Sequence, residues 1–262
     1  MDLGLQGKTA LVLGGGRGLG RGVADALAAE GVALALIARD PSVLDQAAGE
    51  ISQAHGVSAF GVVGDLADWD SMQRGIDAAE RRLGRIDILL NNSGGPVPSG
   101  VVGVAPELWL AQFNAMVLSL FRTTERVLPG MRGRRWGRIL TIASSSVVVP
   151  NPSLGVSNTL RSAVAGWSKT LANEVAAEGI TVNVLLPGRI ATARIEQLDA
   201  HAAEREQRSV EEIAQRTAAT IPVGRYGTVE EFGAVAAFLA STQAAYITGS
   251  MIRVDGGLIR SV

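Results

Sequence analysis

The chain has no cysteine among its 262 residues, which excludes disulfides, zinc thiolates and thiol catalysis. Histidine is nearly as scarce: His55 and His201 stand far apart in polar stretches, so no metal centre is expected. Lysine occurs only at Lys8 and Lys169, and tyrosine only at Tyr226 and Tyr246. No apolar run reaches the roughly 18 residues that a membrane-spanning helix needs. The first residues carry no basic leader and pass at once into a strand pattern, so no ordinary signal peptide is read there and a cytoplasmic location is expected. Charge of one sign is also missing, with 24 Lys and Arg against 25 Asp and Glu and a formal net charge of −1. No overall field then draws the protein to nucleic acid or an anionic membrane. The basic run 132–135 reads as a solvated helix end.

What is abundant is small and apolar. Hydrophobic residues make up 47% of the chain and glycines number 32, a composition suited to close helix–sheet packing. Short apolar runs at 9–13, 33–38, 59–63, 86–90, 139–142, 181–185 and 252–254 alternate with segments of helical periodicity, among them 18–30, 42–54, 109–131 and 162–177. Strands that are apolar throughout, separated by helices, predict a parallel sheet buried on both faces. The expected fold is a single α/β domain over 1–262, a doubly wound Rossmann fold with seven parallel strands. One polar stretch, 193–208, breaks the rhythm. It leads into Ser209-Val-Glu-Glu212, a capping box that opens a helix, and a second box stands at Thr228-Val-Glu-Glu231. The region 193–221 is read as a substrate lid.

After the first strand comes Leu13-Gly-Gly-Gly-Arg-Gly-Leu-Gly20. A glycine loop between a first strand and a first helix lets backbone approach a pyrophosphate, which faces the helix N-terminus. The spacing of Gly14, Gly18 and Gly20 resembles the short-chain dehydrogenase/reductase family, and later blocks agree with it. Asp65-Leu66 follows the third strand, Asn91-Asn-Ser-Gly94 ends the fourth, and Pro187-Gly188 precedes Ile190 and Thr192. The tail from Ile221 to Gly257 is similar to that of 3-oxoacyl-carrier-protein reductases. The resemblance implies a cofactor site of Gly14, Gly16, Arg17, Gly18, Leu19, Gly20, Arg39, Asp65, Leu66, Asn92, Gly94, Arg161, Pro187, Gly188, Ile190 and Thr192. Asp65 would lie by the adenine, and the Pro187 segment by the nicotinamide.

Charge bears on which dinucleotide is held. An acid at the end of the second strand would bind the adenosine ribose of NAD, but that position is Ala38. Arg39 and Arg17 can bracket a 2′-phosphate instead, so NADP(H) is expected over NAD(H). Asp40 is the other acid there, and before Pro41 it reads as a helix N-cap.

The family's catalytic pattern is broken. The resemblance implies a proton-donating tyrosine, a lysine four residues later, a supporting serine and a helical asparagine. Ser144 matches the serine, but Ser157 stands at the tyrosine position, Arg161 at the lysine position and Met116 at the asparagine position. Asn114, two residues away, does not share its helical face. Two functions follow: a reductase of a carbonyl or acyl-thioester substrate with an altered acid, or a catalytically silent NADP(H)-binding protein or partner subunit. A homodimer or homotetramer is expected from the family's habit of pairing the helices at 109–131 and 162–177.

Overall fold

A computed structural model describes residues 1–261. Seven strands form one parallel sheet in the order β3-β2-β1-β4-β5-β6-β7: β1 (Thr9–Leu13), β2 (Ala33–Ala38), β3 (Ala59–Val63), β4 (Ile88–Asn91), β5 (Gly137–Ile142), β6 (Ile180–Pro187) and β7 (Met251–Val254). The first three coincide with the sequence reading. The fourth is displaced, beginning at Ile88 and ending on Asn91; just before it, Asp87 keeps backbone hydrogen bonds with Thr9 and Arg138 while its buried carboxylate meets Arg85 and Arg134 at 2.9 and 3.2 Å. The fifth, sixth and seventh strands begin earlier than their apolar runs, by one or two residues.

Alternate side chains of each central strand enter opposite cores. Val12, Leu34, Leu36, Leu90 and Leu140 pack under α1 (Gly18–Ala29), α2 (Pro41–His55) and α9 (Val229–Ala240). Leu11, Leu13, Ile37, Leu89 and Ile139 pack under α3 (Trp69–Leu83), α5 (Ser119–Arg134) and α6 (Gly155–Val175). Two-sided burial explains strands with no polar alternation.

The order places β1 between β2 and β4, where the winding reverses. A crevice opens beyond the carboxyl ends of the strands at such a switch, and the glycine loop and Asn91–Gly94 both exit there. Helix 109–131 of the sequence reading is not continuous. It comprises α4 (Pro106–Phe113), a π-helical turn (Asn114–Leu118) and α5. A π-turn shifts the helical register locally and is frequent near functional sites. Helix α6 opens at Gly155, well before 162, and the basic run at its sequence neighbour α5 is not merely solvated. Arg132 pairs with Glu178 at 2.8 Å, while Arg134 donates to the Ile86 carbonyl and reaches buried Asp87.

The polar stretch at 193–208 forms α7 (Ala193–Glu206), followed by α8 (Val210–Ala219). Both expected capping boxes are formed, at Ser209 with Glu212 and at Thr228 with Glu231. No helix among the described residues is long and apolar enough to cross a membrane.

Candidate functional site: a dinucleotide crevice and a capped cavity

The glycine loop is shaped by its own backbone. Gly14 has φ +64°, which disfavours a side chain, and a Cβ on Gly20 would collide with the Gly14 carbonyl oxygen. The Asn92 amide fills the remaining space, 2.6 Å from where a Gly14 Cβ would be. These contacts bring the N-terminus of α1 to the mouth of a crevice of about 500 Å³. A backbone cradle that any Cβ would fill, at a helix N-terminus, fits a pyrophosphate.

The crevice collects half of the expected cofactor residues. Gly14, Gly16 and Arg17 line one side, Ala38 and Arg39 the end beside β2, and Asp65, Leu66, Asn92 and Gly94 the other side. Gln112 from α4, with Ala115 and Met116 from the π-turn, closes it. Asn114 lies elsewhere, exposed in a separate hollow beside Trp69 and Arg122. Gln112 and Ala115 were missed in the sequence, since no motif marks either of them. Leu19 instead packs against the core. Thr192 caps α7 and rests 3.7 Å from the position of a Gly18 Cβ.

Arg39 is exposed, and among the described residues no acid is paired with it. Arg17 comes within 3.8 Å of Asp40, both well exposed. Asp40 accepts from the Ser42 and Val43 amides at 3.0 and 3.3 Å, which makes it the N-cap of α2. The Ser42 hydroxyl and these amides hold its carboxyl below the usual carboxylate range.

A second cavity, about 530 Å³, lies under α7 and α8. Its floor is serine-rich, with Ser144, Ser145 and Ser146, and its roof includes Ile195, Leu198 and His201. The Ser144 hydroxyl accepts from the Ser146 amide at 3.1 Å and meets the Ser146 hydroxyl at 2.9 Å. Gly188 lines this cavity, whereas Pro187, Ile190 and Thr192 line neither.

Ser157 and Arg161 lie one turn apart on α6, and neither lines either cavity. Ser157 is buried, 7% exposed. Arg161 donates to the carbonyl of Ile142 at 3.0 Å and to those of Ser93 and Gly94 at 3.2 and 3.4 Å. It thereby ties together the ends of β4 and β5. Burial, with added repulsion from Arg194, lowers its pKa to about 10, so it remains a cation at neutral pH. Arg194, on the first turn of α7, donates to the Pro96 carbonyl at 2.8 Å. Nothing in the sequence marks Arg194 apart from its place just beyond Thr192.

A glycine-rich βα turn at a switch point, with a cavity beside it, defines a dinucleotide-binding oxidoreductase fold. The family described as Enoyl-(Acyl carrier protein) reductase matches residues 14–259. The chain is 34% identical over 257 residues to the 3-oxoacyl-[acyl-carrier-protein] reductase FabG of Haemophilus influenzae, covering 98% of this chain and 100% of that protein. It superposes on L-sorbose reductase from Gluconobacter frateurii, solved with NADPH and L-sorbose, with TM-score 0.95, 30% identity and full coverage of both chains. An actinorhodin polyketide ketoreductase solved with NADPH is 32% identical, TM-score 0.91, with 96% and 97% of the chains covered. The chain belongs to the short-chain dehydrogenase/reductase family.

Proposed function

We propose that the protein is an NADP(H)-dependent carbonyl reductase that works without the family's tyrosine acid. The observation that carries the cofactor half is the adenosine end of the crevice, where Ala38 and two exposed arginines stand and Asp40 is engaged as a helix cap. FabG, L-sorbose reductase and the ketoreductase, similar to this chain throughout, support the reaction class. When bound, a reduced nicotinamide would supply hydride for a carbonyl carbon, leaving the chain's own residues to orient that carbonyl and deliver a proton to its oxygen.

Ser144 is the hydroxyl best placed to hold the carbonyl oxygen, because it faces the second cavity and is fixed by Ser146. Ser157 is too short, and its hydroxyl too weak an acid, to replace a phenol. Loss of a positioned general acid forfeits about 10²–10⁴ in rate, while orientation contributes separately. The proton therefore comes from water in the cavity under α7 and α8, which serve as a lid over the substrate. Arg161 holds the strand ends on which this site is built.

A silent NADP(H)-binding role is the second reading, favoured by the loss of three proton-relay positions, Met116, Ser157 and Arg161. Titration with NADPH, followed by NADPH consumption on ketones and 3-oxoacyl thioesters, decides between them. Binding with slow turnover supports the reductase; binding with none on every substrate supports the silent role. Absence of binding overturns both.

A further inference from the structure

The two cavities are separate, and a single side chain stands on the divide. The crevice reaches Gly94 and Gly95 on the loop after β4, and the capped cavity takes up the same loop at Pro98. Between them, Pro96 presents its carbonyl to Arg194 at 2.8 Å. On the opposite side, Gly188, Arg189 and Ile195 line the capped cavity while Arg194 lines neither. The guanidinium thus spans from the start of α7 to the loop after β4, and a Cβ on Gly95 would lie only 3.2 Å from it.

This strap crosses the path that the proposed cofactor must take. With its adenosine end at Ala38 and Asp65 and its nicotinamide beside Ser144, a dinucleotide has to pass from one cavity into the other. It passes under Thr192, which already rests against Gly18 of the phosphate cradle. Charge points the same way. Arg194 and Arg161 repel each other, and burial lowers the pKa of both. Their hydrogen bonds run to backbone carbonyls, and among the described residues neither is paired with a carboxylate. Partly buried cations without a counter-charge carry a desolvation cost. An anion entering between glycine loop and α7 relieves that cost.

We propose that Arg194 is a phosphate-binding latch: it bridges to Pro96 when the crevice is empty and transfers its guanidinium to the pyrophosphate of an entering dinucleotide. The proposal rests on the reading of the crevice as an NADP(H) site. No covalent bond is made or broken; a guanidinium hydrogen bond to a neutral carbonyl is exchanged for hydrogen bonds to phosphate oxygens that also carry the opposite charge. The α7 segment is thereby drawn down over the bound cofactor.

The test is stopped-flow and equilibrium binding of NADPH, with no substrate present, to wild type, Arg194→Met and Arg194→Lys, each checked by thermal melting. Loss of charge-assisted bonds worth about 1.5–3 kcal/mol weakens binding roughly ten- to a hundred-fold in Arg194→Met. That loss should appear in dissociation, with association no slower than in wild type because the strap is gone. Arg194→Lys should lie between, and wild-type affinity should fall more steeply with salt than that of Arg194→Met. Equal affinities of wild type and Arg194→Met overturn the latch while leaving the NADP(H) site intact. So does weakening that appears only when a carboxylate-bearing substrate is added, since the arginine would then serve the substrate. A wild type that binds no NADPH overturns the underlying reading itself.

Discussion

Tyr226 donates its hydroxyl proton to the buried carboxylate of Asp199 at 2.8 Å, and Arg189 holds the other oxygen of that carboxylate at 3.2 Å. Asp199 lies on α7 and is 3% exposed, so the three residues anchor the helix that roofs the second cavity to the segment after α8. Burial first, then the neighbouring carboxylate, raises the Tyr226 pKa. The phenol that meets α7 is thus a structural donor, held away from the state a proton-relay tyrosine needs.

Tyr226→Phe is expected to loosen the anchorage of α7 without removing a catalytic acid. An acceptor left unsatisfied costs about 1–3 kcal/mol, and Arg189 keeps the loss near the lower limit. Urea unfolding measures it. Because the folded-state pKa is raised, the stabilisation is present below the unfolded value near 10 and fades as pH rises through the folded one. Wild type should therefore lose stability in strongly alkaline solution by an amount that Tyr226→Phe lacks.

The protein should prefer NADPH to NADH by roughly ten- to a hundred-fold, the worth of a hydrogen bond to a charged group. Arg39→Asp should narrow or invert the ratio by removing one cation and offering a ribose acceptor. Isothermal titration with both cofactors reads this directly, and equal wild-type affinities would sink the assignment.

Asp40→Ala separates two roles for one carboxylate. As the N-cap of α2 its loss costs about 0.5–2 kcal/mol of stability, while the preference for NADPH persists. If NADH binding alone collapses with stability unchanged, Asp40 is a ribose ligand after all.

Rebuilding the family's pair, Ser157→Tyr with Arg161→Lys, should create or raise ketone reduction, and Ser157→Tyr alone should do less, because a cation is needed to lower the phenol's pKa. Met116→Asn adds a polar group at the crevice wall, at about 1–3 kcal/mol if its amide goes unpaired. NADPH consumption across one substrate panel compares them. A wild type whose turnover falls in the double variant would show Ser157 and Arg161 to be part of a different working mechanism.

Self-association is expected through the long helices after β4 and β5. Leu108, Leu110 and Phe113 of α4 remain exposed to solvent, and a two-fold packing would cover such apolar surface. Light scattering at micromolar concentration should give a dimer or tetramer mass, and a monomer mass contradicts it.

Local sequence determined the strands and most caps of this protein. A run such as Ala33–Ala38 is apolar on both faces whatever surrounds it, and Asp40-Pro41 or Ser209 with Glu212 satisfy helix ends through neighbours a few residues away. The glycine loop was legible for the same reason, since its tight turn is a property of adjacent residues. Tertiary structure decided what depends on distant parts meeting. The π-turn at Asn114–Leu118 interrupts what reads in sequence as one continuous helix, a break that helical periodicity alone does not contain. Arg161 reads in sequence as a lysine substitute, yet its three carbonyl partners lie at the end of β5 and in the loop after β4, 19 and more residues away. Arg194 carries no signal at all until α7 folds back and sets it against Pro96, 98 residues earlier. Side-chain chemistry is written residue by residue, but which carbonyl or phosphate a guanidinium meets is fixed only when the sheet order brings β4, β5 and α7 to one edge.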